Sequence, residues 1–291
     1  MDHDDIKLGL ASVQRYEGES LLEWFAYYVI QGVDKFIIYN HNMPGAPADP
    51  AVETWKKLQK FYDIERYDCT GYQEFYPQTF QRIMDTHRHE FDWMIWADGD
   101  EFYVPRYDDT IRDLLIRYND WNVSALGVYW AQFGGNGHIK EPSLVTQGFT
   151  KRADHARFNN HHLNSIVKGR HAGAIYVTNP HVYTTEFGTY DLEGRLIPPH
   201  CGCNIPSAGC PGTVTHDVMQ INHYYSKSWE YFKTRKQVRG PGDRPPEAEG
   251  GTISDQWYHD NDFNEIEDLL LWDKYGEQLV EQIEILKELI A

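Results

Sequence analysis

Apolar and polar positions in the first hundred residues follow two alternating periods, which predict strands separated by helices. Residues 7–14 (KLGLASVQ) form a short apolar run typical of a strand, whereas residues 19–31 (ESLLEWFAYYVIQ) repeat apolar side chains at helical spacing. The alternation continues along the chain, with strands predicted at 33–39, 62–67 and 93–97 and helices at 51–61 and 77–91. Strands joined by helices of about ten to fifteen residues indicate right-handed crossovers and a mostly parallel sheet.

Polar side chains follow each of these four strands at the point where the strand ends. Open parallel sheets bind ligands beyond the carboxyl ends of their strands, so the side chains that follow the strands should meet at one edge. The sequence therefore predicts one site, which draws on four separate loops and contains Arg15, Glu17, Asn40, Asp68, Asp98 and Asp100.

The pattern changes after about residue 121, where a strand at 124–130 is followed by segments rich in Gly, Asn and His. We expect a smaller mixed sheet there and divide the chain at 1–120, 121–240 and 241–291. Residues 239–251 contain four Gly and three Pro, which predicts a flexible loop. The acidic end of the chain, with 14 acids against 3 bases in residues 243–291, is expected to form helices at 262–272 and 277–290.

Charge and composition restrict the possible partners. The chain of 291 residues has 27 Lys and Arg against 44 Asp and Glu, a formal charge of −17, which argues against a nucleic-acid partner. No apolar run approaches the ~20 residues of a membrane span, and the acidic start does not resemble a signal peptide, so a cytoplasmic protein is expected.

One short segment contains several zinc-type ligands, His200, Cys201, Cys203 and Cys210. They lack the spacing of structural zinc sites, and a loop with ordinary thiols is favoured over a metal.

The sharpest local signal is the segment Asp98-Gly99-Asp100-Glu101-Phe102. Carboxylates two positions apart in an extended segment point to the same side and offer hard oxygen ligands to Mg²⁺ or Mn²⁺. Such a pair leaves coordination positions open for a substrate diphosphate. Phe102 and Tyr103 stand where an EF-hand loop requires an oxygen ligand and glycine. The alternative is a charged turn that closes the strand.

Several motifs in order resemble the family 2-like and family 92 (DUF23-type) glycosyltransferases. The opening resembles theirs at 17–24 (EGESLLEW) and 38–40 (IYN), and Asp98 to Phe102 is similar to their D-x-D-E-F. Their central W-x-x-F-G-x-x-G-H has a counterpart at 130–138, and their late N-H-Y-x-x-K-S has one at 222–228. The resemblance covers residues 8 to 240, and it departs at Asn40, where those proteins usually have an acid, and at Arg15-Tyr16.

The resemblance implies a GT-A fold and transfer of a sugar from a nucleotide-sugar, with Mn²⁺ or Mg²⁺ as cofactor and generally with inversion. The implied donor is a UDP-sugar and the implied acceptor a glycan or another hydroxyl compound. Residues 1–120 would then form the nucleotide-sugar-binding half, and residues 121–240 the acceptor-binding and catalytic half of the same domain.

Roles follow from the resemblance position by position. Asp98 would contact the donor ribose or the metal, Asp100 would bind the metal, and His223 would be a third metal ligand or touch the diphosphate. The side chains expected in the nucleotide pocket are Arg15, Glu17, Asn40 and Asp68, and those expected to face the acceptor are Trp130 and His138. The competing structural interpretations are a strand histidine for His223 and a core tryptophan for Trp130.

Two questions stay open at the level of sequence. Inversion requires a base for the acceptor proton, and Glu186 and Asp217 are the candidates, since Asp191 is predicted to lie in a hairpin turn. Some of Lys227, Lys233, Arg235 and Lys236 could meet the diphosphate, against the alternative of a solvated helix face. The rival functions are a non-catalytic carbohydrate- or nucleotide-binding protein with the same fold and a metal-dependent phosphohydrolase.

Overall fold

The computed structural model describes residues 6–15, 17–42, 49, 51–70, 78–177, 181–199, 214–240 and 252–291. The strands of these residues are β1 (Leu8–Gln14), β2 (Lys35–Asn42), β3 (Ile64–Thr70), β4 (Trp93–Trp96), β5 (Glu101–Pro105), β6 (Ala125–Gln132), β7 (Lys151–Arg152), β8 (Leu163–Val167), β9 (Ile175–Tyr176), β10 (Thr184–Thr185), β11 (Thr189–Asp191), β12 (Leu196–Ile197), β13 (Met219–His223) and β14 (Ile266–Glu267). The α-helices are α1 (Leu21–Ile30), α2 (Ala51–Leu58), α3 (Gln78–His87), α4 (Ile111–Arg117), α5 (Val145–Gly148), α6 (Trp229–Tyr231), α7 (Gln237–Arg239), α8 (Asp255–Asn261) and α9 (Leu270–Ile290), and a π-helical turn (Phe232–Lys236) joins α6 to α7.

One large sheet organises the described residues. Its path runs β12-β11-β6-β8-β4-β1-β2-β3, with β13 and β5 attached beside β6. The strands β3, β2, β1 and β4 are mutually parallel, β8 is antiparallel to both β4 and β6, and β11 and β13 are parallel to β6. This mostly parallel α/β sheet with flanking helices confirms the predicted fold class and is compatible with a GT-A-like fold.

Helices cover both faces of the parallel strands because these strands carry apolar side chains on both sides. On one face, Phe25 of α1 packs against Phe36 of β2 and Trp55 of α2 at centroid distances of 4.6 and 5.4 Å. The inner side of α9 completes this core cluster. On the other face, Phe80 of α3 stacks on Trp96 of β4. The sheet is thereby held rigid, and its polar edge stays at the carboxyl ends of the strands.

The strand β13 joins distant parts of the chain at that edge. It pairs antiparallel with β5, so that His223 lies opposite Glu101, and parallel with β6, so that His223 lies opposite Gln132. Beyond the strand, the Tyr224 N–H donates to the Asp100 carbonyl oxygen at 2.9 Å. The late histidine segment is therefore fastened to the acidic segment by backbone hydrogen bonds.

The predicted elements of the first hundred residues are confirmed, with ends that shift by a few residues. In the acidic C-terminal part, the helix predicted at 277–290 lies within α9, but the one predicted at 262–272 is wrong. That range contains the short strand β14, which pairs with β7, and the start of α9. The Asp268 carboxylate explains why the helix begins only at Leu270. One of its oxygens accepts from the Leu270 N–H at 3.1 Å at the start of α9. The loop predicted ahead of these elements lies largely outside the described residues.

The ion pair between Arg152 and Asp268 anchors this C-terminal part, and its loss should destabilise the fold. The atoms Nε and Oδ2 lie 2.6 Å apart with both side chains buried, and Gln220 also donates to Asp268 at 3.0 Å. Burial opposes ionisation, but the Gln220 and Arg152 hydrogen bonds lower the pKa of Asp268 below its usual value. Its contribution is therefore present above about pH 4 and is lost as the pH falls through the lowered pKa.

We expect Asp268→Asn to reduce the free energy of unfolding at pH 7 by about 3 kcal/mol, because the guanidinium is left buried without its counter-charge. Urea denaturation at pH 7 measures this change. The matched control is Asp260→Asn in α8, whose carboxylate bonds only within an exposed helix turn and should change stability by less than about 0.5 kcal/mol. Equal stability of the Asp268→Asn variant and wild type would contradict the anchoring role.

Candidate functional site

The acidic segment forms a tight turn between β4 and β5. The Glu101 N–H donates to the Asp98 carbonyl oxygen at 3.1 Å, which places Gly99 and Asp100 at the centre of a four-residue turn. The extended conformation assumed for this segment is therefore wrong. The turn presents Asp100 toward β13.

The side chain of Glu101 locks this turn from inside. It is fully buried, and its Oε2 accepts from the Asp98 N–H at 2.9 Å and from the Asn164 amide of β8 at 2.6 Å. Burial and the nearby Asp98 charge raise the pKa of Glu101 well above its usual value. The conformation of the turn thus depends on an interior hydrogen-bonding group that the solvent does not reach.

The centre of the site is the pair formed by Asp100 and His223. Both side chains are buried, and Oδ1 of Asp100 lies 3.4 Å from Nε2 of His223. On its other side, Oδ2 of Asp100 lies 3.7 Å from Nζ of Lys236. Burial alone would raise the pKa of Asp100, but the interaction with His223 and the charges of Lys236 and Lys227 lower it, so the carboxylate is ionised. Burial lowers the pKa of His223, so the ring is held neutral.

An ionised carboxylate beside a neutral imidazole is a plausible pair of metal ligands. Neighbouring ligands of an octahedral ion with bonds of about 2.1 Å lie about 3 Å apart, close to the 3.4 Å between Asp100 Oδ1 and His223 Nε2. Within the described residues, however, no group of three His, Cys, Asp or Glu side chains is arranged to hold a metal. Asp98 therefore does not complete the predicted three-ligand set. Two protein ligands suit Mg²⁺ or Mn²⁺, which fill their remaining positions with water and phosphate oxygens.

Glu17, which follows β1, lies directly against the turn. A Cβ atom at Gly99 would stand 2.8 Å from Cγ of Glu17, so only glycine fits between them. The Tyr231 hydroxyl donates to Oε2 of Glu17 at 3.2 Å. The predicted proximity of Glu17 to the acidic segment is thus present in the structure.

Lys227 is a second buried cation of the site. Its backbone has the unusual φ of +53°, and its Nζ donates to the Ser20 hydroxyl at 3.2 Å and lies 4.3 Å from the centre of the Tyr231 ring. Burial disfavours the charge, but Tyr231 and the carboxylates of Glu17, Glu141 and Asp100 raise the pKa of Lys227 above its usual value. The side chain is therefore charged and balances acids from three parts of the chain.

The remaining predicted nucleotide residues lie further along the same edge. The Asn40 amide, near the end of β2, donates to Oδ1 of Asp68 on β3 at 3.1 Å, and the two positions face each other in the strand register. Arg15 is buried directly after β1. Because neighbouring strands lie about 4.8 Å apart, the edge from β3 to β4 spans about 14 Å. This span is comparable to the length of an extended nucleotide.

The two residues predicted to face an acceptor differ in their surroundings. The Trp130 ring packs against the His223 ring at a centroid distance of 4.2 Å and stacks on His162 at 4.7 Å, so it lines the site. The ring of His138 instead contacts the Gly148 carbonyl oxygen at 3.0 Å and packs on Phe149. The described contacts place Trp130, and not His138, against the Asp100–His223 pair.

The two candidate bases lie in different parts of the fold. The exposed Glu186 accepts from the Ala174 N–H at 2.9 Å, within the β9–β10 hairpin. Asp217 is exposed and precedes β13, whereas His223 ends that strand. The strand β13 alone, Met219–His223, spans about 13 Å between them. The structure therefore does not bring Asp217 to the pair.

Sequence reasoning missed two features of the site. It assigned no role to Glu101 of the acidic segment, and it favoured a solvated helix face for most of the late lysines, although Lys236 is buried. The glutamate in D-x-D-E-F was a visible signal for the first. No local signal marks the second, because burial of Lys236 depends on the π-helical turn.

The cysteine cluster lies outside the described residues. In the described part of the chain, no helix combines the length and apolar character of a membrane span.

The fold and the site together define an α/β protein of GT-A-like architecture with an acidic turn at the edge where the parallel strands end. The chain is 25% identical over 232 residues to a glycosyltransferase family 92 protein of Oryza sativa subsp. japonica, which covers 78% of this chain and 34% of the relative. It is 24% identical over 225 residues to a glycosyltransferase family 92 protein of Ricinus communis, with 74% and 34% covered. The chain thus spans about a third of the length of these curated relatives.

These two similarities confirm the resemblance to family 92. No protein-family model matches the chain.

Two substitutions test how Glu101 holds the turn. Glu101→Ala leaves the Asp98 N–H and the Asn164 amide buried without an acceptor, and we expect a loss of about 3 kcal/mol in unfolding free energy. Glu101→Gln keeps one carbonyl oxygen for both donors, and the raised pKa of Glu101 means that a neutral group is tolerated there. We expect Gln to cost about 1 kcal/mol. Urea denaturation of both variants measures the difference, and an equal loss for Gln and Ala would show that the site requires the charged carboxylate.

Proposed function

We propose that this protein is a metal-dependent glycosyltransferase, which moves a sugar from a nucleotide-sugar, with a UDP-sugar as the expected donor, to a hydroxyl group of a glycan or another acceptor. The single observation that carries the proposal is the buried pair of Asp100 and His223, 3.4 Å apart at the ligand-binding edge of a GT-A-like sheet. The similarity to two proteins named glycosyltransferase family 92 proteins supports it.

The donor would lie along the sheet edge with its base toward Asn40 and Asp68 and its diphosphate toward Asp100. The hydrogen-bonded pair of Asn40 and Asp68 offers polar groups to the base and ribose. The span of about 14 Å from β3 to β4 matches this orientation. Glu17 and Arg15 lie between the two ends and would contact the nucleoside.

The metal, held by Asp100 and His223, would neutralise negative charge on the leaving diphosphate. Asp98, which opens the same turn, would contact the donor ribose. The turn fixed by Glu101 keeps Asp100 in place before the donor arrives, so little reorganisation is needed at the moment of reaction.

The acceptor would bind on the other side of His223, where the Trp130 ring offers an apolar surface to a sugar. Its hydroxyl oxygen attacks the anomeric carbon, the bond from that carbon to the diphosphate oxygen breaks, and a base removes the hydroxyl proton. This course inverts the anomeric centre. Of the two candidates, Glu186 is the base we favour, because β13 separates Asp217 from His223. Its carboxylate would have to leave the Ala174 N–H to act.

The rival function is a nucleotide- or carbohydrate-binding protein that kept the fold without turnover. A panel of nucleoside diphosphates, tested by thermal shift with and without Mn²⁺, comes first. Metal-dependent stabilisation by one of them is expected for both functions, and its complete absence would contradict both. Slow hydrolysis of the corresponding nucleotide-sugar then distinguishes the transferase from the binding protein.

We expect Asp100→Asn to abolish the Mn²⁺-dependent stabilisation by a nucleoside diphosphate, because the amide keeps the shape but loses the charge that holds a hard cation. Isothermal titration with UDP and Mn²⁺ measures this loss, which should exceed about tenfold in affinity. Asp109→Asn, an exposed acid beyond β5, is the matched control and should bind as wild type does. Unchanged Mn²⁺ dependence in the Asp100 variant would refute the metal assignment.

A companion variant separates ligand and core roles of His223. We expect His223→Ala to weaken Mn²⁺ binding while the melting temperature without ligand falls by only a few degrees. A collapse of the unliganded protein would instead identify His223 as a core histidine of β13.

Removal of the catalytic base should greatly reduce turnover while donor binding is retained. Glu186→Gln should reduce the rate constant of transfer by about 10²- to 10⁴-fold, because proton removal contributes that much, and should leave donor affinity unchanged. Asp217→Asn, at the opposite end of β13, should retain activity. The comparison is made by single-turnover kinetics, and the reverse result would assign the base to Asp217.

A further inference from the structure

A buried lysine shares the carboxylate of Asp100 with His223. The Nζ atom of Lys236 lies 3.7 Å from Oδ2 of Asp100, and the exposed fractions of the two side chains are 5% and 9%. The other oxygen, Oδ1, faces Nε2 of His223 at 3.4 Å. The proposed metal ligand therefore already carries a fixed positive charge as its neighbour.

This lysine lies at the end of the π-helical turn. Such turns are rare, occur mostly as single turns inside α-helices, and are frequent at functional sites. Within Phe232–Lys236, Lys236 is buried at Asp100, whereas Lys233 is exposed and pairs with Asp255 at 2.8 Å. One turn thus carries a buried and a solvated lysine, which form a matched pair for experiment.

Lys236 also contacts uncharged groups of Tyr225 and Trp257, which hold its side chain in place. Its Nζ donates to the Tyr225 carbonyl oxygen and lies 4.2 Å from the centre of the Tyr225 ring and 5.4 Å from that of Trp257. The same Nζ lies 3.7 Å from Oδ2 of Asp100, so the lysine and the carboxylate form an ion pair. A divalent cation on Asp100 would therefore compete with the lysine for the same carboxylate.

A diphosphate would shift the competition between Lys236 and a divalent cation at Asp100 in favour of the cation. Like charges a few Å apart in a buried site repel strongly because water does not screen them. A diphosphate brings several negative charges and oxygen acceptors to the same place, and it offers the ammonium group a new partner. The long lysine side chain can exchange one partner for the other by rotation about its own bonds.

Resting on the function proposed above, we propose that Lys236 occupies Asp100 in the empty protein and passes to the donor diphosphate on binding, which frees the carboxylate for the divalent cation. The metal and the nucleoside diphosphate then bind with positive coupling, since each makes room for the other. Lys236 is the residue that links them.

The test uses Lys236→Gln, which keeps an N–H donor for the Tyr225 carbonyl oxygen and removes the charge. Mn²⁺ is titrated into the variant without nucleotide, and binding is monitored by electron paramagnetic resonance. The affinity of the variant for Mn²⁺ should be about fivefold higher than that of wild type. Calorimetry with UDP and Mn²⁺ should show an affinity about tenfold lower, whereas the affinity for UMP should change little. Lys236→Arg, which keeps the charge, should approach wild type, and Lys233→Gln should match it.

Unchanged affinities for both Mn²⁺ and UDP in a folded Lys236→Gln variant would overturn the proposal and leave Lys236 as a structural contact of Tyr225. A measurement on wild type is independent of the variant: UDP should raise the affinity for Mn²⁺ by about tenfold or more, and equal affinities with and without UDP would also overturn it. If wild type binds no nucleoside diphosphate of the panel, the proposed function itself fails. If wild type binds a nucleoside diphosphate but Lys236→Gln has the same affinities as wild type, only the proposed exchange of Lys236 is refuted.

Discussion

The site depends on the register between β13 and β5. This antiparallel pairing places His223 opposite Glu101, and the hydrogen bond from Tyr224 to the Asp100 carbonyl oxygen continues it past the strand end. A slip of one residue would turn the side chain of His223 to the opposite face of the sheet. The same register determines where the chain enters the helical segment that carries Lys236. One set of backbone hydrogen bonds thus delivers both an imidazole and an ammonium group to a carboxylate more than a hundred positions earlier.

The local parts of this arrangement could be predicted from sequence, because their causes lie within a few residues of each other. Apolar periodicity indicated β1 to β4 and their helices, and the position of Asp100 after a buried strand indicated the polar edge. The turn geometry could not be read in the same way. Glu101 folds back onto the Asp98 N–H only because Asn164 of β8 supplies a second donor inside the core, and that contact joins positions 63 residues apart.

Long-range pairing also explains why the helix predicted at 262–272 is wrong. Residues 262–272 have helical periodicity, but Arg152 offers Asp268 a buried counter-charge, and the pairing of β14 with β7 takes precedence over the local preference. The candidate bases were chosen by their order along the chain, which carries no information about distance. Asp217 illustrates this limit: it is close to His223 in sequence, yet an extended strand holds the two at opposite ends.

The overall charge makes the buried lysines more important than their number suggests. A chain with a formal charge of −17 would repel the proposed anionic donor at long range, but at physiological ionic strength that repulsion is screened beyond about 8 Å. Lys227 and Lys236 act inside this distance and away from bulk water, where charges interact more strongly. Their own burial is tolerated because Asp100 and Glu17 supply counter-charges in the empty protein. In the proposed mechanism, the lysines paired with these acids would therefore limit how strongly the site attracts a divalent cation before an anionic ligand arrives.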